Sequence, residues 1–200
     1  IILAIGAAWW LVACGLVVRY PKQVSLWQAK PIRAVLGLLV LIPMWVGFMT
    51  LKSQPYSALI IVYVMLLIWG ADTGAYFAGK TWGNAKLAPN VSPGKSWAGF
   101  WGGLATTGLI AVIFSLCVHQ WLRPMTLSDF ALLAVMTFIT AIISVMGDLV
   151  ESMMKRHRGI KDSSQLLPGH GGVLDRIDSM ASAVPVFAFF MLLFGWQLAA

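Results

Sequence analysis

Apolar residues run along this chain in long blocks, not in strict alternation or in short amphipathic stripes. Stretches almost free of charge are Ile1–Val18, Ala34–Leu51, Tyr56–Phe77 with Asp72 late in it, Trp97–Val118, Leu127–Gly147 with Asp129 at its edge, and Ser179–Ala200. A bilayer core about 30 Å thick takes roughly 20 apolar residues as a helix, so the pattern predicts about six spans. The expected fold is all-α: a polytopic transmembrane helical bundle forming a single domain over residues 1–200, with a polar segment at 147–179 outside the membrane. The first block is already apolar at Ile1 and has no initiating Met. It is expected to belong to a piece whose N-terminal helices are missing, not to a signal peptide.

Composition agrees. The chain is 60% hydrophobic and 10% charged, against about 25% charged in soluble proteins, so an integral membrane protein is expected. Cys14 and Cys117 both fall inside predicted spans, where two isolated cysteines suggest packing and not a disulfide framework or a zinc cluster. The net charge of +7 follows from where the cations lie: twelve of the fourteen Lys and Arg residues are in the first, third and fifth loops. Those loops are expected to be cytoplasmic by the positive-inside bias, and no nucleic-acid partner is needed to explain them. The loop Arg19 to Arg33 reads as an interfacial segment on anionic lipid, with no chemistry assigned.

Positive-inside sorting does not explain the acids, because six of the seven lie on or beside the same loops. Asp72 sits in Trp69-Gly70-Ala71-Asp72-Thr73-Gly74-Ala75, where small residues every four positions let another helix approach; it is expected within a tightly packed bundle, as a functional group by default. Ser92-Pro93-Gly94-Lys95-Ser96-Trp97 ends like a P-loop. That motif needs a glycine where Pro89 stands and a preceding strand, and the sequence offers neither. What remains is a small-residue turn at a helix N-terminus, with Lys95 and free N–H groups suited to a phosphate or to an ordinary cap.

The segment Gly147–Ser179 holds most of the remaining charge. If the fifth helix continues past the membrane, Asp148, Glu151, Ser152 and Lys155 share one face. The turn Pro168-Gly169-His170-Gly171-Gly172 permits positive φ and close backbone approach, as a loop around phosphate requires; His170 suits a phosphate contact, an acid toward a leaving group, or a helix cap. Asp175 and Asp178 open the next helix on one face, where they either complement its dipole or, with Asp148 and Asp72, supply oxygen ligands to a hard divalent cation.

Ser152-Met153-Met154-Lys155-Arg156, Lys161-Asp162, and Pro168-Gly169-His170-Gly171-Gly172-Val173-Leu174-Asp175-Arg176-Ile177-Asp178 together resemble the signature of the phosphatidate cytidylyltransferases. The Asp72 and Lys95 segments are similar to parts of that family as well, so the resemblance covers about residues 60 to 190. It implies that CTP and phosphatidate give CDP-diacylglycerol and pyrophosphate, with Mg²⁺ and room for a second cation. The setting it implies is a membrane-embedded homodimer in the bacterial inner membrane, its active site facing the cytoplasm. On that reading Asp148, Asp175, Lys155 and His170 are catalytic, and Asp148, Asp175, Asp178 and Asp72 are metal ligands. Lys95, Arg156, Lys161, Arg176 and the Gly169, Gly171 and Gly172 backbone bind substrate phosphates.

The nearest alternative is a CTP-dependent polyprenol or phytol kinase of the inner membrane, which would release CDP and require a base such as His170. A cation transporter is a remoter one, because it would distribute acids through the membrane depth.

Overall fold

In the computed structural model, which describes residues 1–169 and 171–198, six helices and one short hairpin account for nearly all regular structure. The helices are α1 Ile2–Val18, α2 Lys30–Lys52, α3 Ser57–Trp82, α4 Trp97–Trp121, α5 Leu127–His157 and α6 Leu174–Leu193. Five of them, α2 to α6, are long and apolar enough to cross a bilayer; α1 is a 17-residue apolar helix. The all-α bundle expected from the apolar blocks is what forms.

Helices meet where side chains are smallest. Along the α3–α4 contact, a Cβ on Gly99 would lie 2.9 Å from the Ala75 carbonyl and one on Gly103 would lie 2.8 Å from that of Ala71. The small-residue ladder in α3 therefore does bring a partner close, and the partner is α4. Two further crossings set glycine against proline: Gly6 of α1 on Pro43 of α2, and Gly47 of α2 on Pro185 of α6, where an added Cβ would come within 2.9 Å of backbone. Both prolines lie inside helices, each lacking an N–H to donate to the turn before it.

One apolar cluster gathers Tyr63, Leu67, Leu133, Met136 and Phe187, the other Trp10, Ala13, Trp27, Leu149 and Met153. In the first cluster a polar pair is satisfied internally: Tyr63 donates to Thr137 Oγ1 at 2.5 Å, while Thr137 donates onward to the Leu133 carbonyl. Outward-facing residues such as Leu11, Leu38, Trp45, Val62, Leu109 and Leu116 are exposed, as a lipid-facing surface requires.

Three details depart from the sequence pattern. First, residues 86–96 form a hairpin, β1 Lys86–Ala88 antiparallel to β2 Ser92–Ser96. Pro93 and Gly94 are poor strand formers, which is why the pattern shows only a turn there; the Gly-Lys pair lies on the strand itself. Second, α3 continues to Trp82 and α6 begins at Leu174, so both carry polar residues beyond their apolar windows. Third, α6 stops at Leu193 instead of running to Ala200. Gly195, at φ +61°, closes it with a Trp196 N–H bond to the Met191 carbonyl, a left-handed glycine cap.

The end of the bundle opposite the charged segment is fastened by polar groups. Thr126 and Asp129 form a reciprocal capping box at the start of α5. Arg123 donates to both Asp129 oxygens at 3.0 Å and to the Gln197 carbonyl at 2.9 Å. This gives a structural role to the one acid that lies away from the others.

Candidate active site

The charged segment of the sequence becomes a row of side chains across one end of the bundle. It is laid down by four elements: α3 with Asp72, β2 with Lys95, the outer turns of α5, and the first turns of α6. α5 reaches this level because it continues unbroken to His157, with Lys155, Arg156 and His157 complementing the dipole of its last turn. Its stripe is as the spacing predicts: Ser152 donates to Asp148 Oδ1 at 3.2 Å, and Lys155 donates to Glu151 Oε2 at 2.7 Å.

Lys95 Nζ pairs with Asp148 Oδ2 at 2.6 Å and reaches the Val145 carbonyl at 3.5 Å. Asp72 feels the charges of both Lys95 and Asp148. It is exposed to a cleft of about 390 Å³ between α3, α4, α5 and the hairpin, lined also by Lys95, Tyr76, Lys80 and Ser96. The expectation that Asp72 is enclosed within the packed bundle is corrected here: Ala71 and Ala75 make the contact with α4, and Asp72 lies beside that seam. On the other side of Asp148, Asp178 interacts electrostatically with Asp148, Glu151 and Lys95. The row thus reads Asp72, Lys95, Asp148, Asp178, Glu151, Lys155, Asp175, with cations set among acids.

Asp175 is engaged at both oxygens. Oδ1 accepts from Lys155 at 2.6 Å; Oδ2 accepts from the Ser163 N–H and hydroxyl at 2.9 and 2.7 Å and from the Gly172 N–H at 2.7 Å. Its side chain is only 9% exposed. It therefore ties the loop 158–172 to α5 and caps α6, and the Gly172 amide expected to face phosphate is bonded to this carboxylate instead. Gly169 and Gly171 do adopt positive φ, +72° and +80°. Leu167 and Gly171 form a bridge that folds the turn back on itself.

The other predicted residues divide. Arg156 donates to the Val91 carbonyl at 3.3 Å, joining α5 to the hairpin. Lys161 and Arg176 are exposed at the rim. His170 lies outside the described residues. Glu151, which the stripe includes but which received no role, is 8% exposed and has a buried Oε1 without a partner. Its position four residues before Lys155 is the signal that marks it.

Among the described residues no three Asp, Glu, His or Cys side chains converge into a preformed cation cage. The donor set is nevertheless all oxygen. It suits an ion held by one or two carboxylates and completed by substrate phosphates, as Mg²⁺ commonly is.

Comparison with known proteins gives the row its context. The chain is 48% identical over 195 residues to a Pseudomonas aeruginosa protein named phosphatidate cytidylyltransferase, covering 98% of this chain and 70% of that one. A Haemophilus influenzae protein of the same name is 47% identical over 92% of this chain and 66% of its own length. A Bacillus subtilis one is 38% identical over 79% and 59%. The chain thus spans about three fifths to seven tenths of the length of these relatives. The model of the cytidylyltransferase family matches residues 1–194, a range that takes in every member of the charged row, and the chain belongs to that family.

Proposed function

We propose that this chain is the catalytic part of a phosphatidate cytidylyltransferase, an integral membrane enzyme that makes CDP-diacylglycerol for phospholipid synthesis. The observation that carries the reading is the row of acids with Lys95 and Lys155 set among them at one end of a largely apolar bundle. A reaction between two phosphate anions needs charge neutralisation more than it needs an acid or a base, and names borne by relatives 47–48% identical over most of this chain fit it.

A phosphate monoester has a second pKa near 6, so phosphatidate is largely dianionic at neutral pH and no side chain has to create the nucleophile. Its oxygen attacks the α-phosphorus of CTP. The new P–O bond forms as the bond between the α-phosphorus and the bridging oxygen breaks, and pyrophosphate leaves with that electron pair. The contribution of the protein is then positioning and electrostatic stabilisation.

On this reading Lys95 and Lys155 face the phosphates, with Arg156, Lys161 and Arg176 at the rim. Asp72, Asp148 and Asp178 would hold Mg²⁺, which when bound offsets phosphate charge. Asp175, engaged by four donors, acts by holding Lys155 and the 158–172 loop in place. The charged end is assigned to the cytoplasmic side of a bacterial inner membrane because twelve of fourteen cations lie in loops at that end. A homodimer, implied by resemblance, belongs to the same proposal and is read from the mass of the detergent-solubilised protein.

The test supplies membranes containing the protein with CTP and either phosphatidate or a polyprenol, and scores the products. Pyrophosphate with CDP-diacylglycerol is expected. Release of CDP without pyrophosphate would overturn the reading in favour of a lipid kinase.

A further inference from the structure

A second cleft, of about 410 Å³, opens between α1, α2, α5 and α6 on the far side of α5 from Asp72. Its walls are apolar, but they carry three polar features, of which the scheme above uses only Asp178. Trp9 and Trp10 line it, 7% and 1% exposed, and both indole N–H groups are buried with no acceptor. Glu151, whose Oε1 is also without a partner, lines it with Asp178. Arg33 and Arg158 complete the lining, and neither guanidinium has a carboxylate partner among the described residues. Buried polar groups are nearly always bonded, so orphaned ones call for a missing ligand or water. The two indole N–H groups, neighbouring donors on one cleft, point to an absent acceptor.

Depth along the helices orders these groups. Arg33 lies in the first turn of α2 and Arg158 just past the end of α5, both at the charged end of the bundle. Glu151 is seven residues, or about 10 Å, inward from Arg158. Trp9 and Trp10 are eight to nine residues, about 12–14 Å, inward from the C-terminal end of α1. Leu36, Val40 and Leu41 form the apolar wall. From the mouth inward the cleft therefore offers cations, then carboxylates, then N–H donors among apolar side chains. A diacylglycerol phosphate matches the cations, the N–H donors and the apolar wall, with its phosphate anion at the mouth, its ester oxygens at the indole N–H groups and an acyl chain along the wall; Glu151 and Asp178 lie on the α5 and α6 side of the cleft.

We propose that this cleft is the phosphatidate subsite, with Arg33 and Arg158 receiving the phosphate, Trp9 and Trp10 donating to ester oxygens, and the Leu36–Leu41 face taking the proximal acyl chain. The assignment rests on the function proposed above. It gives Arg33 a ligand role where the sequence pattern shows only an interfacial loop. It also sets the lipid against Glu151 and Asp178, the members of the charged row next to Asp148, so the phosphate can meet a nucleotide held on the Asp72 side of α5.

Gly37 makes the test clean. It lines the cleft, and a Cβ built on it meets nothing within 4 Å, so the side chain of Gly37→Leu starts in open space at the cleft wall and not in a helix seam. The purified full chain in detergent micelles is assayed for equilibrium binding of dioleoyl phosphatidate and of dioleoylglycerol without CTP, and separately for pyrophosphate release. Gly37→Leu should weaken both lipids about tenfold or more, whereas Arg33→Gln and Arg158→Gln should each weaken phosphatidate by about tenfold and leave dioleoylglycerol unchanged, the usual scale for a hydrogen bond to a charged group. Trp9→Phe should weaken both lipids alike. CTP affinity and unfolding temperature should match the parent in every variant.

Phosphatidate binding by Gly37→Leu at parental strength, with pyrophosphate release intact at an unchanged phosphatidate KM, would overturn the subsite and leave the cytidylyl transfer standing. The lipid pattern as expected, but without pyrophosphate from the parent, would overturn the transfer and leave the lipid subsite standing.

Discussion

Lys95 and Asp148 are close enough for a strong ion pair, at 2.6 Å, yet their side chains remain 23% and 31% exposed. A pair so open to water contributes about 1 kcal/mol or less to stability. Lys95→Met is therefore expected to leave the unfolding temperature nearly unchanged while lowering kcat by about a hundredfold, the scale seen when one preorganised charge on a developing anion is removed. Asp175 should behave in the opposite sense. Its carboxylate is buried against Lys155 and three further donors, and removing one member of such a buried pair typically costs about 3–5 kcal/mol. Asp175→Asn should thus lose both turnover and thermal stability, whereas Asp178→Asn should lose turnover and raise the Mg²⁺ concentration needed for half-maximal rate without comparable destabilisation. An Asp175→Asn protein as stable as the parent would release that residue from its positioning role. The sequence makes the members of this row visible, because charge is rare in the chain. It does not show which acids are already bonded: that Asp175 bonds the Ser163 amide and hydroxyl depends on a loop path of twelve residues, which no local spacing encodes.

At the scale of elements, apolar block length and small-residue spacing carried most of the fold. The α3–α4 seam follows from Ala71, Ala75, Gly99 and Gly103, and the outward extension of α5 follows from the stripe Asp148, Glu151, Ser152, Lys155. The hairpin around Lys95 escaped because its strands are three and five residues long and contain Pro93 and Gly94. The second cleft escaped for a different reason: Trp9, Gly37, Glu151 and Asp178 come from four helices whose mutual rotation is a tertiary property. The α5–α6 seam offers a direct test of how that rotation is held. A Cβ on Gly147 would meet Ser182 Oγ and the Asp178 carbonyl, so Gly147→Ala has to push α6 away at the level of the charged row. Overpacking of this kind costs about 1–3 kcal/mol, and activity should fall by more than the stability loss explains, because Asp178 moves with the displaced turn. Equal and small losses in Gly147→Ala and in Gly37→Ala, where nothing is within 4 Å, would show that the seam is not what sets the site.

For the whole molecule the central asymmetry is between two polar ends. One end is fastened by Arg123, Thr126 and Asp129, bonded among the described residues to one another and to backbone; the other holds the row that faces two clefts. Asp129→Ala removes the capping box and the bidentate pair together, and should lower stability by about 1–2 kcal/mol, the upper range for a lost cap, with kcat and both KM values unchanged. The same asymmetry fixes the orientation required of the protein. CTP is water-soluble and phosphatidate keeps its phosphate at the headgroup level, so the row has to lie at the membrane face where the nucleotide is present. The proposed function takes that face to be the cytoplasmic one, as the positive-inside bias leads one to expect. With Cys14 and Cys117 replaced by serine, a single cysteine at Lys161 or at Trp121 reports each end, since both residues are exposed and lie at opposite ends of the bundle. An impermeant maleimide added to intact spheroplasts should label Trp121→Cys and should label Lys161→Cys only after permeabilisation. The reverse pattern would place the charged row outside the cell, away from the nucleotide, and no amount of local chemistry at Lys95 or Asp148 would then restore the proposed reaction.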